Sequence, residues 1–179
     1  SSSDETIVEV SSTGTLTNAD EYSITIDRLA KKDNLLSANY SSTGTDLHTS
    51  GTVDITVNGT THTVSITPAN GDTNSTVLNN LKSAIETAFG ETLQVSVFDL
   101  DSANIQLSVR SSKTGYAERV QISNTTGSLS TVFDNATRPV ATNKLDASFT
   151  LNGVNFQRSE NIIDDTISGV TFDLKKTTT

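Results

Sequence analysis

Residues 149–170 read FTLNGVNFQRSENIIDDTISGV, and this stretch decides how the C-terminal part of the chain folds. Apolar and polar residues alternate on both sides of Asn152-Gly153. Asn-Gly between two alternating runs favours a β-hairpin, because both residues tolerate the positive φ of a type I′ turn. The first half of the stretch therefore predicts two antiparallel strands joined at Asn152-Gly153.

The second half of the stretch predicts a single helical turn followed by a strand. We expect the turn over 162–167, with Asn161 as its N-cap and Gly169 at its end. Val170, Phe172 and Leu174 alternate with polar residues and predict a last strand.

Four charged residues in this stretch raise the question of a catalytic or metal site. Asp164 and Asp165 are adjacent, so on a helical turn their side chains diverge by about 100° and do not share one proton or one metal ion. Acids near a helix start also offset its exposed N–H groups. For Arg158 and Glu160 we expect a surface ion pair or plain solvation. The cluster is therefore interpreted as structural.

A second hairpin precedes the only convincing helix in the sequence. Alternating runs over 52–66 flank Asn58-Gly59, which repeats the turn signal. The helix is expected near 76–89, with Ser75 or Thr76 as N-cap and Gly90 as the left-handed residue after its end. Its apolar residues recur at spacings of three and four, at Leu78, Leu81, Ile85 and Phe89.

Further alternating runs and the composition predict a fold that is mainly β with minor α, of the α+β class. Thr favours strands, whereas Asn, Gly and Ser favour turns. We expect antiparallel sheets, one of them covered by the single amphipathic helix. The other predicted strands lie at 6–10, 22–26, 93–97, 105–109, 119–123 and 145–151.

Two stretches without alternation predict domain junctions, at 29–42 and at 130–143, the second of which holds one of the two prolines. If both are junctions, residues 1–46 and 138–179 form one discontinuous β-rich domain. Residues 47–137 then form an inserted α+β domain that carries the helix. Such an insertion is plausible because loops with neighbouring ends tolerate inserted domains.

Composition excludes several functional classes. The net charge of −9 disfavours nucleic acid, since phosphate binding draws on clustered Lys and Arg. The absence of cysteine removes disulfides, thiolate catalysis and cysteine-based zinc sites. No apolar run approaches the ~20 residues that cross a bilayer, so no membrane span is predicted. The chain begins without Met and ends in TTT, and we interpret it as an excised fragment.

The remaining candidates for chemistry are weak, and no cofactor or metal is expected. Residues 99–104, DLDSAN, begin like a calcium loop, but Ala103 stands where a third ligand belongs and Asn104 where the loop requires Gly. A turn between two strands explains the same residues. His48 and His62 have no metal-ligand spacing, and no Ser-His-Asp order can be argued from them. Glycine-rich nucleotide-binding motifs are absent.

Four blocks of the sequence, in the correct order, resemble the head region of the flagellar hook-associated protein 2 family, the filament cap proteins. They are the serine-rich start and YSITI strand within 1–42, the hairpin, helix and strand within 50–99, the pattern L-x-L-x-S-x-x-T-G-x-x-x-x-I-x-I within IQLSVRSSKTGYAERVQIS at 105–123, and LDASFTLNGVNFQRSENIIDDTISGVTFDLKK at 145–176. In the third block the likeness is carried by Ile105, Leu107, Ser111, Thr114, Gly115, Val120 and Ile122. In the last block the likeness is carried by Asp146, Ala147, Asn152, Gly153, Arg158, Ser159, Asn161, Asp164, Ile167, Gly169, Val170 and Leu174. The chain departs from the family pattern at Tyr116, Glu118 and Gln157.

The resemblance implies a structural protein rather than an enzyme. Cap proteins form a small cyclic oligomer at the distal tip of the extracellular flagellum and guide exported flagellin into the filament. The implied partners are further copies of the chain and flagellin, with host mucin or surface glycans as additional ligands in some bacteria. The residues implied to matter are those that form turns and caps: Asn58, Gly59, Gly90, Gly115, Asn152, Gly153, Asn161 and Gly169.

Two other functional classes stay open from the sequence. The first is an adhesin or phage-tail module that binds glycans through Thr- and Asn-rich loops. The second is an enzyme, for which no constellation of residues argues. Selective binding on a glycan array would favour the first, and loss of turnover on replacing Asp164 and Asp165 by Asn would favour the second.

Overall fold

The structure is a computed structural model that describes residues 2–13 and 21–178. The chain divides into two compact units, each with its own core. Unit 1 is formed from segments within Ser1–Lys31, Thr114–Tyr116 and Ala141–Thr179. Unit 2 comprises Lys32–Lys113 and Ala117–Val140.

The described residues form thirteen strands and two α-helices, whose bounds follow in chain order. The strands are β1 (Val8–Ser12), β2 (Ile24–Arg28), β3 (Lys32–Leu36), β4 (Tyr40–Ser41), β5 (Gly51–Val57), β6 (Thr60–Ile66), β7 (Leu93–Asp99), β8 (Asn104–Thr114), β9 (Gln121–Ser123), β10 (Ala147–Leu151), β11 (Val154–Arg158), β12 (Ile162–Ile167) and β13 (Val170–Leu174). The helices are α1 (Asn74–Phe89) and α2 (Ser128–Phe133). The fold is mainly β with antiparallel pairing, which is the fold class that the sequence predicted.

Unit 1 consists of two three-stranded antiparallel sheets that share one core. One sheet has the order β1-β13-β12 and the other the order β11-β10-β2. Inward-facing apolar residues from both sheets pack together because successive side chains of a strand point to opposite faces. The core residues are Val8, Ile26, Ala30, Ala147, Phe149, Leu151, Ile163, Val170, Phe172 and Leu174.

The helical turn expected over 162–167 is wrong, because these residues form strand β12. Ile163 pairs with Phe172 of β13 and is 2% exposed, so its burial in the sheet determines the local conformation. The register of the β12–β13 pair shifts between Ile163 and Ile167. This irregularity interrupts strict alternation, which is why the apolar residues of the segment did not predict a strand.

Unit 2 consists of two sheets and helix α1 around the larger core. One sheet has the order β6-β5-β9, and the other is built on the long strand β8, which pairs with β7, β3 and β4. Leu78, Leu81 and Ile85 of α1 are fully buried, as their helical spacing predicted. The helix begins earlier than expected, with Thr73 rather than Ser75 or Thr76 as N-cap.

Three elements of unit 2 were missed in the sequence. Strands β3 and β4 lie within the stretch interpreted as a junction, and they place residues 32–46 in unit 2 rather than in the discontinuous domain. Helix α2 overlaps the start of the second such stretch, and its Leu129 and Val132 are fully buried. Each element is short, so its periodicity is too brief to distinguish it from a polar connection.

None of the helices in the described part of the chain is long and apolar enough to cross a membrane.

Candidate functional site

The turn at Asn152-Gly153 connects β10 to β11 and is fixed to a third strand segment. Asn152 and Gly153 have φ values of 49° and 81°, as a type I′ turn requires. The Asn152 side-chain oxygen accepts a hydrogen bond from the Ser23 N–H at 2.8 Å. The Asn152 N–H donates to the Ser23 carbonyl at 2.8 Å. The turn therefore joins β11 and the start of β2 at one end of the sheet.

Asn161 does not cap a helix, and its side chain instead binds the backbone of Ala30. Its Oδ1 accepts from the Ala30 N–H at 2.7 Å, and its Nδ2 donates to the Ala30 carbonyl at 3.2 Å. Its own carbonyl accepts from the Leu174 N–H at 2.9 Å. One asparagine thus joins the chain after β2 to the connection between β11 and β12. The expected helix cap is wrong because no helix forms there.

The acidic pair of the opening stretch is divided between two environments. The Arg158 Nε–H donates to both carboxylate oxygens of Asp165, at 2.9 Å from each. The Arg158 guanidinium also lies 5.5 Å from the ring centroid of Phe156. Asp164 is exposed. Arg158 therefore forms its ion pair with Asp165, and the pair is exposed, so its contribution to stability is small.

Gly115 makes a close backbone contact within unit 1. Its φ is 101°, and an added Cβ would lie 2.5 Å from the Ser159 Cβ. The neighbouring Thr114 hydroxyl donates to the Ser159 carbonyl at 2.6 Å, and the Tyr116 N–H donates to Asp146 Oδ1 at 2.7 Å. The segment 114–116 is thereby fixed to the same connection that holds Asn161.

The remaining turn residues singled out in the sequence all have positive φ. Asn58 and Gly59 have φ values of 48° and 77° between β5 and β6. Gly90 follows α1 with a φ of 52°, and its N–H donates to the Glu86 carbonyl. Gly169 lies between β12 and β13 with a φ of 74°.

The segment DLDSAN spans the turn between β7 and β8, and the Asp101 carboxylate accepts hydrogen bonds from within this turn. Asp101 Oδ1 accepts from the Ala103 N–H at 2.7 Å and from the Asn104 N–H at 2.8 Å. The Asn104 side chain donates to the same carboxylate at 2.9 Å. The hydrogen bond from the Asn104 side chain lowers the pKa of Asp101, with smaller contributions from the two backbone N–H groups. The carboxylate is thus hydrogen-bonded within the turn between the two strands.

The two histidines lie apart in structural roles. His48 Nδ1 lies 3.0 Å from the Thr45 carbonyl. The His62 ring meets Phe89 edge-on, with centroids 4.8 Å apart. Within residues 2–13 and 21–178, no group of three His, Cys, Asp or Glu residues is arranged to hold a metal ion.

An open groove of about 510 Å³ lies beside His62 in unit 2. Its wall includes Phe89, Glu91, Lys113 and Glu118. The Ser112 hydroxyl donates to the Glu91 carbonyl, so one of its polar groups is already occupied.

Shifted pKa values in the described residues have local structural causes. The hydrogen bond from Lys175 lowers the pKa of Glu9, and the same contact raises the pKa of Lys175. Hydrogen bonds from Asn124 and Thr63 lower the pKa of Asp54. Burial raises the pKa of Tyr40, and the charge of Asp46 adds to the effect. These groups are scattered over strands and turns rather than gathered in one cleft.

Exposed apolar side chains are the surface feature that the sequence analysis missed. On unit 1, Val154 is 57% and Ile162 is 61% exposed, on edge strands β11 and β12. On unit 2, Phe98 is 50% and Leu100 is 46% exposed, at the end of β7. Alternation identified β11, whereas β12 was predicted as a helical turn, and the sequence did not reveal which strands lie at sheet edges. Exposed apolar side chains on edge strands are suited to contacts with another protein chain.

Comparison with known proteins gives a family match and a set of similar structures. Residues 145–179 match the family model described as flagellar hook-associated protein 2 C-terminus. No curated protein sequence matches the chain.

Several solved structures of the flagellar cap protein FliD resemble the chain in fold. The D2-D3 domains from Escherichia coli match with a TM-score of 0.77 at 22% identity, covering 97% of this chain and 91% of that one. The D2-D3 domains from Serratia marcescens match with a TM-score of 0.66 at 26% identity, covering 96% and 94%. The D1-D2-D3 structure from Escherichia coli matches with a TM-score of 0.77 at 22% identity and 97% coverage of this chain, which spans 54% of that longer protein.

These matches confirm the resemblance predicted from the sequence. The chain resembles a head-domain fragment of flagellar hook-associated protein 2, in sequence over 145–179 and in fold over nearly its whole length. The region of the family match includes Asn152-Gly153, Asn161, Arg158 and Gly169, the residues whose contacts are described above.

Proposed function

We propose that this chain is the head region of a flagellar filament cap, which oligomerises at the tip of the filament and promotes flagellin assembly. One observation carries the proposal: the fold matches cap-protein D2-D3 domains over 97% of the chain, and residues 145–179 match the cap family in sequence. In this role the protein is structural, extracellular and located at the distal end of the flagellum.

The surface of the chain is consistent with a module that assembles through its own copies. Each unit exposes apolar side chains, Val154 and Ile162 on unit 1 and Phe98 and Leu100 on unit 2. A net charge of −9 opposes close approach of two copies, and uncharged contact surfaces reduce this repulsion locally. The described residues hold no arrangement that supports catalysis, whereas the exposed apolar groups provide uncharged contact area.

Assembly can be tested on the full-length protein. Native mass spectrometry is expected to give a single ring stoichiometry, because closed cyclic assemblies have a fixed number of subunits. Val154→Asp and Ile162→Asp each place a charge on an exposed edge strand and should shift the distribution towards monomer. Glu86→Gln, on the exposed face of α1, is a matched control that should leave the stoichiometry unchanged. A strict monomer at high concentration would contradict the proposal.

The role in filament growth requires a cellular test. The test uses a normally motile bacterium from which the cap protein has been deleted. A cap protein whose head is replaced by this chain should restore filament growth in that strain. Filament length and the amount of flagellin released into the medium are the two measurements. Restored filaments with little released flagellin support the role, whereas assembled rings without filaments would separate oligomerisation from flagellin assembly.

The adhesin alternative gains no support from these matches, since the similar structures described above are all those of flagellar cap proteins.

A further inference from the structure

Asp33 is a fully buried carboxylate at the start of unit 2. It is 0% exposed and lies on β3, directly after the chain enters unit 2 at Lys32. Its N–H donates to the Ser111 hydroxyl at 2.9 Å, and its Oδ2 accepts from the Val120 N–H at 2.8 Å. Asp33 thus binds two segments that are far from it in sequence.

Arg138 completes a closed ring of contacts with Asp33 and Val120. Its Nη1 donates to Asp33 Oδ2, and its Nη2 donates to the Val120 carbonyl. Both backbone groups of Val120 are therefore held, one by the acid and one by the guanidinium. We call Asp33, Val120 and Arg138 the clasp.

The members of the clasp stand at the places where the chain crosses the boundary of unit 2. The chain enters unit 2 at Lys32, re-enters at Ala117 and ends its second passage at Val140. Asp33, Val120 and Arg138 each lie within three residues of one of these crossings. A backbone bridge between Leu36 and Thr137, with hydrogen bonds of 2.9 and 2.8 Å, lies beside the clasp. The clasp therefore joins three separate parts of the chain at one point.

The energetics of the clasp indicate a positional role. The ion pair must offset the cost of removing the fully buried Asp33 carboxylate, and part of the Arg138 guanidinium, from water, so its net contribution to stability is small. Asp33 Oδ1 has no hydrogen-bond partner among the described residues, which adds to that cost. Apolar side chains would fill this part of the core at a lower free-energy cost. They would not, however, form hydrogen bonds with the N–H and carbonyl of Val120.

We propose that the clasp controls a local opening of unit 2 at its chain crossings. With the clasp formed, the segments around Asp33, Val120 and Arg138 open only when unit 2 unfolds. With the clasp broken, these segments open separately while α1 and the sheets around it stay folded. Proteins commonly open in such contiguous units, each with its own free energy.

Hydrogen–deuterium exchange on the whole chain tests the proposal. In Asp33→Asn, the N–H groups of Leu36, Val120 and Thr137 should exchange at least tenfold faster than in the unaltered protein. The N–H groups of Leu81 and Ile85 in α1 should keep their rates. Glu86→Gln, which removes the exposed Lys82–Glu86 ion pair, is the control and should change none of these rates.

A second pair of variants separates a positional role from a general loss of stability. Arg138→Met leaves the Asp33 carboxylate buried without its cation. The segments at the chain crossings should therefore open more in Arg138→Met than in Asp33→Asn. Arg138→Lys keeps the charge but lacks the second nitrogen that reaches the Val120 carbonyl. Compared with Arg138→Met, it should therefore bring the exchange rate at Leu36 closer to that of the unaltered protein than the rate at Val120. Uniform acceleration over all of unit 2, or unchanged rates at the three N–H groups in Asp33→Asn, would overturn the proposal. If Arg138→Met does not fold, the comparison of Asp33→Asn with Arg138→Lys still decides between these outcomes.

Discussion

Gly115 illustrates how a single residue constrains unit 1. Its φ of 101° and its approach to Ser159 exclude any side chain without movement of the backbone. Gly115→Ala should therefore lower the free energy of unfolding by about 2–4 kcal/mol, the sum of backbone strain and overpacking. Gly71→Ala is the matched control, because Gly71 has a φ of 88° but nothing within 4 Å of the added Cβ. Urea unfolding of both variants measures the difference, and equal losses would show that Ser159 contributes nothing.

Asp54 provides a prediction for the dependence of stability on pH. Its carboxylate accepts hydrogen bonds from the side chains of Asn124 and Thr63, which lower its pKa in the folded state. A carboxyl group whose pKa is lowered on folding stabilises the protein above its unfolded pKa of about 3.9, and this contribution is lost as the pH falls through the folded pKa. Asp54→Asn should therefore flatten the acid side of the stability curve. Thermal unfolding from pH 7 to pH 2.5 measures this, and a parallel curve for Asp54→Asn would contradict it.

At the scale of elements, the N-cap observed for α1 differs from the one that the sequence predicted. The Thr73 hydroxyl accepts from the Thr76 N–H at 3.2 Å, whereas the sequence pointed to Ser75 or Thr76 as the cap. Thr73→Ala should lower the free energy of unfolding by about 1 kcal/mol through loss of this bond. Ser75→Ala is the control and should have a smaller effect. The reverse order, measured by chemical denaturation, would indicate that the helix begins later.

The elements predicted correctly from the sequence are those whose periodicity is long and uninterrupted. Helix α1 repeats its apolar spacing over about three turns, and the β5–β6 and β10–β11 hairpins each combine alternation with Asn-Gly. Strand β12 was interpreted as a helical turn because a register shift breaks its alternation. Asn161 was consequently given the wrong local role, since its partner Ala30 is 131 residues away in the chain. Contacts of such sequence separation leave no local pattern.

At the scale of the whole molecule, the two units have separate hydrophobic cores. Leu81 belongs to the core of unit 2 and Phe149 to the core of unit 1, and both are at most 1% exposed. The sequence predicted a discontinuous domain with an insertion, but it placed the first boundary after residue 46 because β3 and β4 lack a clear pattern. Both strands form by pairing with β8, a contact distant in sequence that their polar residues do not reveal.

Separate cores predict that damage to one unit stays within it. Leu81→Ala should lower the stability of unit 2 by about 2–5 kcal/mol and Phe149→Ala that of unit 1 by about 3–5 kcal/mol, because each leaves a cavity in a fully buried site. Hydrogen–deuterium exchange resolves the two units, so that Leu81→Ala should accelerate exchange in β5 and β7 while β10 and β13 keep their rates. Phe149→Ala should give the opposite pattern. If either substitution accelerates exchange equally in both units, the two cores unfold as one cooperative body and the division into separate folding units is wrong.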